Sequence, residues 1–317
     1  MTQEKSASQK ISTAGGFVAG ALAACGAVTF TNPIELVKTR MQLQGELSKA
    51  NEKIYKNPLQ ALGKIYSNEG IRGLQKGLVA AYVYQVCLNG CRLGLYEPSR
   101  NLLNQLFFPN VEDYHKVQSI PVNVAAGALS GIAGAILGSP LFLIKTRMQS
   151  YSPIAIGDQT HYKSVADGLK QIYRQNGFLG LFKGVDAAII RTGMGSSVQL
   201  PIYNATKSFI INNNLISDPS SPQLHLISST MSGIGVGIVM NPGDVILTRV
   251  YNQKGNNHYT GPVDCFIKII KYEGVGALYK GFFAQLLRVA PHTILTLTFM
   301  EQTMKFCQNI EQKVLGY

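Results

Sequence analysis

P-I-E-L-V-K-T-R-M-Q, residues 33–42, returns as P-L-F-L-I-K-T-R-M-Q at 140–149 and as P-G-D-V-I-L-T-R-V-Y at 242–251. Each copy closes a long uncharged run, and each is followed at a similar offset by a second phrase. These are E-G-I-R-G-L-Q-K-G at 69–77, N-G-F-L-G-L-F-K-G at 176–184 and E-G-V-G-A-L-Y-K-G at 273–281. A repeat of about a hundred residues is too long for a solenoid and implies three copies of one domain-sized unit. The units expected are residues 11–110, 117–213 and 222–308.

Working outward from these phrases, the flanking runs define the class. The chain has 317 residues, 46% hydrophobic and 15% charged, with 32 glycines and a mean hydropathy of +0.09, too apolar for an ordinary soluble protein of this size. Ile11 to Glu35 and Val117 to Lys145 enclose stretches able to cross a hydrocarbon layer roughly 30 Å thick as helices. Ser217 to Gly243 supplies a third, and weaker second spans fall at about 77–107, 186–211 and 281–307. Two spans per unit predict an all-α membrane protein of six transmembrane helices in three pseudosymmetric repeats, with both termini on one side. Between the spans of each unit, Leu62 and Ile65, Leu169 and Ile172, and Phe266 and Ile269 share a helical face and predict short amphipathic surface helices. Glycines four apart (Gly16 and Gly20, Gly127 and Gly131, Gly233 and Gly237) allow close helix approach in lipid.

Charge is unevenly placed. The connections 38–76, 145–183 and 249–280 hold 19 of the 29 Lys and Arg residues but 7 of the 17 acids, so one membrane face is basic. Because these bases alternate with spans instead of forming a stripe, nucleic acid is not an expected partner. The N-terminus shows neither an apolar core nor an arginine-rich amphipathic pattern, so no cleavable leader is expected. Five scattered cysteines without C-x-x-C read as small apolar fillers in a reducing compartment. No phosphate-binding loop, metal cluster or nucleophile and base pairing is present, which argues against an enzyme and against an ATP-driven pump and predicts no cofactor or metal.

Three P-x-[DE]-x-x-[KR]-type phrases coupled to three glycine phrases make the chain resemble the mitochondrial carrier family over about 11–307. The resemblance implies a six-helix barrel with threefold pseudosymmetry and short matrix-side helices, a monomer, alternating access in the inner mitochondrial membrane, and basic loops facing the matrix with both termini toward the intermembrane space. It implies a matrix gate in which Glu35 pairs with Lys145 and Asp244 with Lys38, braced by Gln42 and Gln149. In the third place Phe142 and Leu247 replace both charges, and Tyr251 replaces the glutamine. It implies a cytosolic gate in which Glu97 pairs with Lys207 and Glu301 with Arg100, while Asn204 and Met304 leave the third pair neutral beside Lys305. Gly77, Gly184 and Gly281 resemble cardiolipin-binding helix N-termini, where free amides suit a phosphate.

Thirteen positions before the cytosolic gate lie Tyr84, Arg191 and Arg288, with Arg92 about two turns beyond Tyr84. Intramembrane charges are functional candidates by default, and guanidinium forks suit carboxylate or sulfate. The substrate site expected is therefore Arg191, Arg288 and Arg92, with Tyr84, Gln85, Asn89 and Thr192 as hydrogen-bonding neighbours and Gln199 as a further one. Arg191-Thr192 resembles the pair that family members for keto acids and dicarboxylates place there. The implied substrates are small dianions, oxaloacetate first, with sulfate, malonate and isopropylmalate. His292, one turn from Arg288, is a proton-coupling candidate. A different dicarboxylate or tricarboxylate, protonophoric uncoupling, or a partner-binding scaffold are the alternatives left open.

Overall fold

A computed structural model describes residues 13–46, 54–108, 119–153, 159–213, 221–253 and 258–315. Within a few of its helices some side chains are not described, those of Asn89, Arg92 and Gln199 among them. The described residues form nine α-helices: α1 (Thr13–Leu43), α2 (Pro58–Leu74), α3 (Leu78–Phe107), α4 (Ile120–Ser150), α5 (Val165–Gly180), α6 (Val185–Asn212), α7 (Pro222–Asn252), α8 (Pro262–Glu273) and α9 (Phe282–Leu315). Each unit is thus a long helix, a short one and a second long one. Three segments are apolar enough to mark themselves as spans, 15–43, 121–150 and 230–252. Counted along the chain, the six long helices alternate between odd (α1, α4, α7) and even (α3, α6, α9), and the even ones have 30, 28 and 34 residues, long enough to cross at 1.5 Å per residue although their arginines and polar residues dilute the signal.

The long helices close into a ring in the order α1, α3, α4, α6, α7, α9, with α9 back against α1. The second glycine of each four-spaced pair marks close approach. Space for a Cβ at Gly20 ends at Met300, at Gly131 on Thr192, and at Gly237 on Leu286. Pro33, Pro140 and Pro242 lie inside α1, α4 and α7, which continue through them to the basic phrases.

The short helices bury one face only. Ile65, Ile172 and Ile269 are buried, with Leu62 and Leu169 packed partly against the cores. Phe266 departs from this expectation: it is 40% exposed and lines an apolar groove with Ala187, Ile190 and Pro262 between α6, α7 and α8. Asn57 and Ser164 cap α2 and α5 through their side chains, accepting from Gln60 N at 2.8 Å and Asp167 N at 3.1 Å.

Gly77, Gly184 and Gly281 precede α3, α6 and α9 in the left-handed conformation, with φ of 75°, 83° and 78°. There they do more than offer amides. A Cβ at Gly77 would press on the Lys145 carbonyl of α4 at 3.3 Å, at Gly184 on Val250 of α7 at 3.1 Å, and at Gly281 on the Lys38 carbonyl of α1 at 3.3 Å. Glycine is therefore required both by the backbone turn and by the contact that seats each even helix on the next unit.

Candidate functional site

At the basic end the odd helices α1, α4 and α7 converge. Lys145 Nζ donates to Glu35 Oε1 at 2.7 Å, and Lys38 Nζ to Asp244 Oδ2 at 2.7 Å. Both expected pairs are formed, and they lie deep: Lys145 and Asp244 side chains are 6% and 3% exposed. Phe142 and Leu247 occupy the third place within an apolar cluster that includes Tyr251. The Phe142 ring packs against Tyr84 (5.2 Å between centroids) and edge-on against Tyr251 (5.3 Å). Lys145 Nζ also lies 5.6 Å over the Tyr84 ring and 5.7 Å over Phe142, so the aromatic pair faces the gate cation.

The glutamines are placed differently from the resemblance. Gln149 accepts from Thr39 at 3.3 Å and donates to Asn32 at 3.0 Å, and Gln42 accepts from Thr248 at 2.8 Å. They tie neighbouring odd helices through threonine hydroxyls, one turn beyond the ion pairs. Tyr251 in the third place bonds Ser139 at 2.7 Å.

A third layer was not anticipated from sequence. Arg40 donates to the carbonyls of Gln149 (3.1 Å) and Tyr151 (2.8 Å), Arg147 to those of Tyr251 (3.0 Å) and Gln253 (2.8 Å), and Arg249 to that of Gln42 (3.2 Å). Each unit thus clamps the helix C-terminus of the next, where carbonyls without helical partners attract a cation. Glu69 pairs with Arg40 and with Lys76 (2.5 Å), and Glu273 with Arg249 (2.5 Å) and Lys280 (2.6 Å). Burial pushes the Glu69 carboxyl up, but hydrogen bonds from Arg40 and Lys76 outweigh it and hold it below the ordinary carboxylate range. The recurrence of T-R in all three copies (39–40, 146–147 and 248–249), with E-G following at 69–70 and 273–274 and N-G at 176–177, was the available signal.

A cavity spans the ion-pair layer, lined by Glu35, Lys38, Lys145 and Asp244, by Gln42 and Gln149 on one side and by Arg191 and Arg288 on the other. Arg191, on α6, is ion-paired to Asp244 Oδ1 through its Nε. Sequence reasoning treated Arg191 as a substrate group and Asp244 as a gate group; in the fold one carboxylate serves both, holding Lys38 on one oxygen and Arg191 on the other. Arg288 makes no ion pair among the described residues, and its buried Nε has no hydrogen-bond partner. A smaller side cavity joins Arg191 and Thr192 to Tyr84, Phe142, Leu247 and Tyr251. Gln85 lines neither cavity. Arg92 and Asn89 lie outside the described side chains. His292 on α9 sits with Nδ1 3.2 Å from Thr31 Oγ1 on α1, one turn from Glu35.

At the opposite end the expected pairs are not formed. Glu97 and Glu301 are exposed, and no ion pair joins them to Lys207 or Arg100 among the described residues. Arg100 instead stands 5.9 Å over the Tyr96 ring of its own helix. The molecule is therefore closed at the basic end and unlatched at the other.

A threefold helix ring, latched by ion pairs at one end and holding arginines inside the latch, defines a membrane carrier of alternating access. The chain matches the family described as mitochondrial carrier protein over residues 9–106, 116–214 and 218–311, and it belongs to that family. It is thus a multi-pass protein of the mitochondrial inner membrane, a transporter rather than an enzyme. It is 64% identical to the mitochondrial oxaloacetate transport protein of Saccharomyces cerevisiae, over 99% of this chain and 96% of that one. The protein of the same name in Schizosaccharomyces pombe is 53% identical over 94% of this chain and 92% of its own length. The mitochondrial citrate transporter E of Aspergillus niger is 51% identical over 96% and 97%.

Proposed function

We propose that this chain carries oxaloacetate and related small dianions, sulfate and malonate among them with isopropylmalate, across the inner membrane by alternating access. The observation that carries the reading is the shared carboxylate of Asp244. A substrate dianion that engages Arg288 and then Arg191 competes with Asp244 for the Arg191 guanidinium, so occupancy of the cavity loosens the latch it rests on. The ligand's differential affinity for the open state is then the energy source for the transition. Arg191 and Arg288 bind the anion, Thr192 and Tyr84 orient it, and Glu35, Lys145, Asp244 and Lys38 form the matrix gate. Glu97, Arg100, Lys207 and Glu301 form the cytosolic gate in the alternate state, with both termini in the intermembrane space.

The names of the two yeast relatives support oxaloacetate, and the name of the Aspergillus relative supports a tricarboxylate as the second reading. Protein in liposomes, offered labelled oxaloacetate, sulfate, malonate, malate, citrate and phosphate, should take up oxaloacetate fastest. Citrate as the preferred substrate would replace the first reading with the second, and uptake of none would overturn both.

His292 is assigned to proton coupling. Its Nδ1 lies 3.2 Å from Thr31 Oγ1, one turn before Glu35 on α1, which sets its titration next to the latch. His292→Gln should flatten the pH dependence of uptake; an unaltered profile removes it from the mechanism. Gly77, Gly184 and Gly281 with their helix amides are assigned to cardiolipin phosphates, and the carrier is assigned as a monomer. Cardiolipin that fails to raise the thermal stability of the detergent-solubilised protein would overturn the lipid assignment.

A further inference from the structure

Three junctions hold the basic end together, and they are not equivalent. The α1–α4 junction carries the Glu35–Lys145 pair, the Thr39–Gln149 bond and the Arg40 clamp braced by buried Glu69. The α7–α1 junction carries Asp244–Lys38, Thr248–Gln42 and the Arg249 clamp braced by buried Glu273. At the α4–α7 junction every one of these layers is changed. Phe142 and Leu247 stand for the ion pair, Tyr251 for the glutamine, and Asn176 for the bracing glutamate.

Asn176 is exposed and bonds to no arginine among the described residues; Arg147 turns instead to the Tyr162 hydroxyl at 2.9 Å. The connection inside the second unit is altered as well. Asn32 and Asn241 donate to the carbonyls of their own connecting segments, at Leu74 (3.2 Å) and Leu278 (2.7 Å). Ser139 at the same place bonds Tyr251. In place of those charged contacts α4 and α7 share apolar packing and the Ser139–Tyr251 hydroxyl bond, and they keep the arginine–carbonyl bonds that the other junctions also have. Hydrogen bonds with an ionised donor or acceptor are roughly twice as strong as neutral ones. Loss of the charged partners at two successive depths along one line therefore leaves one seam weaker than its two counterparts, both of which include α1.

We propose that the basic end parts along the α4–α7 seam, with α1 acting as the hub that stays attached to one neighbour or the other, and that the transported anion leaves by this seam. The side cavity below Arg191 already opens onto Phe142, Leu247 and Tyr251. An anion moving outward from there meets the Arg147 guanidinium, which has no carboxylate partner among the described residues, whereas the α1 junctions present Glu35, Asp244, Glu69 and Glu273. Asp186, at the head of α6, is turned back onto the amide of Ala187 at 2.9 Å. The identity of the passenger rests on the transport reading above; the order of opening does not.

Ser67, Arg174 and Lys271 are exposed at matching positions of α2, α5 and the α8 end of the third unit. Genetically encoded spin labels placed there in pairs, in the full chain reconstituted in liposomes, report the three separations without touching the native cysteines. The 174–271 distance distribution should be the broadest of the three and should lengthen most with saturating oxaloacetate. A distribution in which 67–174 or 67–271 widens most, or in which all three widen alike, overturns the proposal. Asn176→Glu, which offers Arg147 the missing carboxylate, should narrow the 174–271 distribution and slow exchange about tenfold, while Asn176→Gln leaves both near wild type. Equal behaviour of the two variants counts against the seam. If no anion is taken up at all, the transport reading fails while the distance comparison still decides the seam.

Discussion

The two ends of the helix ring carry the same kind of chemistry and are in opposite conditions. At the basic end, acids and bases from different units meet at 2.7 Å in buried surroundings. At the other end Glu97 and Glu301 stand in the open, with no ion pair to Lys207 or Arg100 among the described residues. Neither end contains better partners than the other on paper. The difference lies in which helix ends converge, and it teaches that a latch motif specifies what can pair, while the position of three rigid units specifies what does.

The comparison can be broken most forcefully at Lys145. Lys145→Met leaves Glu35 buried without a base and should cost about 3–5 kcal/mol of stability, read as a fall in the unfolding midpoint in detergent. Lys38→Met should cost clearly less, because Arg191 still neutralises Asp244. Equal losses would mean that Arg191 does not share the carboxylate.

Next in size is the cavity. Arg191→Ala and Arg288→Ala should each lower the rate of oxaloacetate uptake by about a hundredfold, with Arg191→Lys intermediate because an ammonium lacks the fork. Uptake at the wild-type rate in either alanine variant would detach the arginine from the substrate.

A smaller effect is expected at the clamps. Glu69→Gln should destabilise by about 1–3 kcal/mol, since it leaves Arg40 and Lys76 without their anion, whereas Asn176→Gln should do almost nothing. The pH dependence has a defined sign. The folded carboxyl of Glu69 lies below its unfolded value, so its stabilisation is complete above the ordinary glutamate range and is lost as the pH falls through the folded value. Wild type should therefore lose part of its advantage over Glu69→Gln in acid, measured as converging unfolding midpoints.

The smallest change in stability belongs to the unlatched end. Glu97→Gln combined with Glu301→Gln should move the midpoint by less than about 0.5 kcal/mol, since exposed charges contribute little. It should still slow exchange, because those acids are needed when that end closes. Restoring the third latch at the basic end, Phe142→Asp with Leu247→Lys, should slow exchange from the other side.

Much of this was legible in the chain. Three spaced copies of one phrase, uncharged runs of spanning length and basic connections are local or periodic properties, and they determined a threefold helical membrane protein with arginines inside its spans. The resemblance to the family added the gate pairs, of which Glu35–Lys145 and Asp244–Lys38 meet in the fold. Comparison among copies also exposed Phe142 with Leu247, and Tyr251, as departures. The sequence did not disclose that Asp244 binds Lys38 and Arg191 together, since the carboxylate and the guanidinium come from helices of different units. Nor did it show that Gln42 and Gln149 bond threonines instead of the ion pairs, or that the lipid-type glycines also seat each even helix against the next odd one. It left unseen that Asn176 belongs to the junction where Phe142, Leu247 and Tyr251 replace the third pair and its glutamine. Those facts depend on the mutual rotation and approach of helices far apart in the chain, set by packing around the whole ring, and a few ångströms there decide which of several suitable partners a buried charge meets.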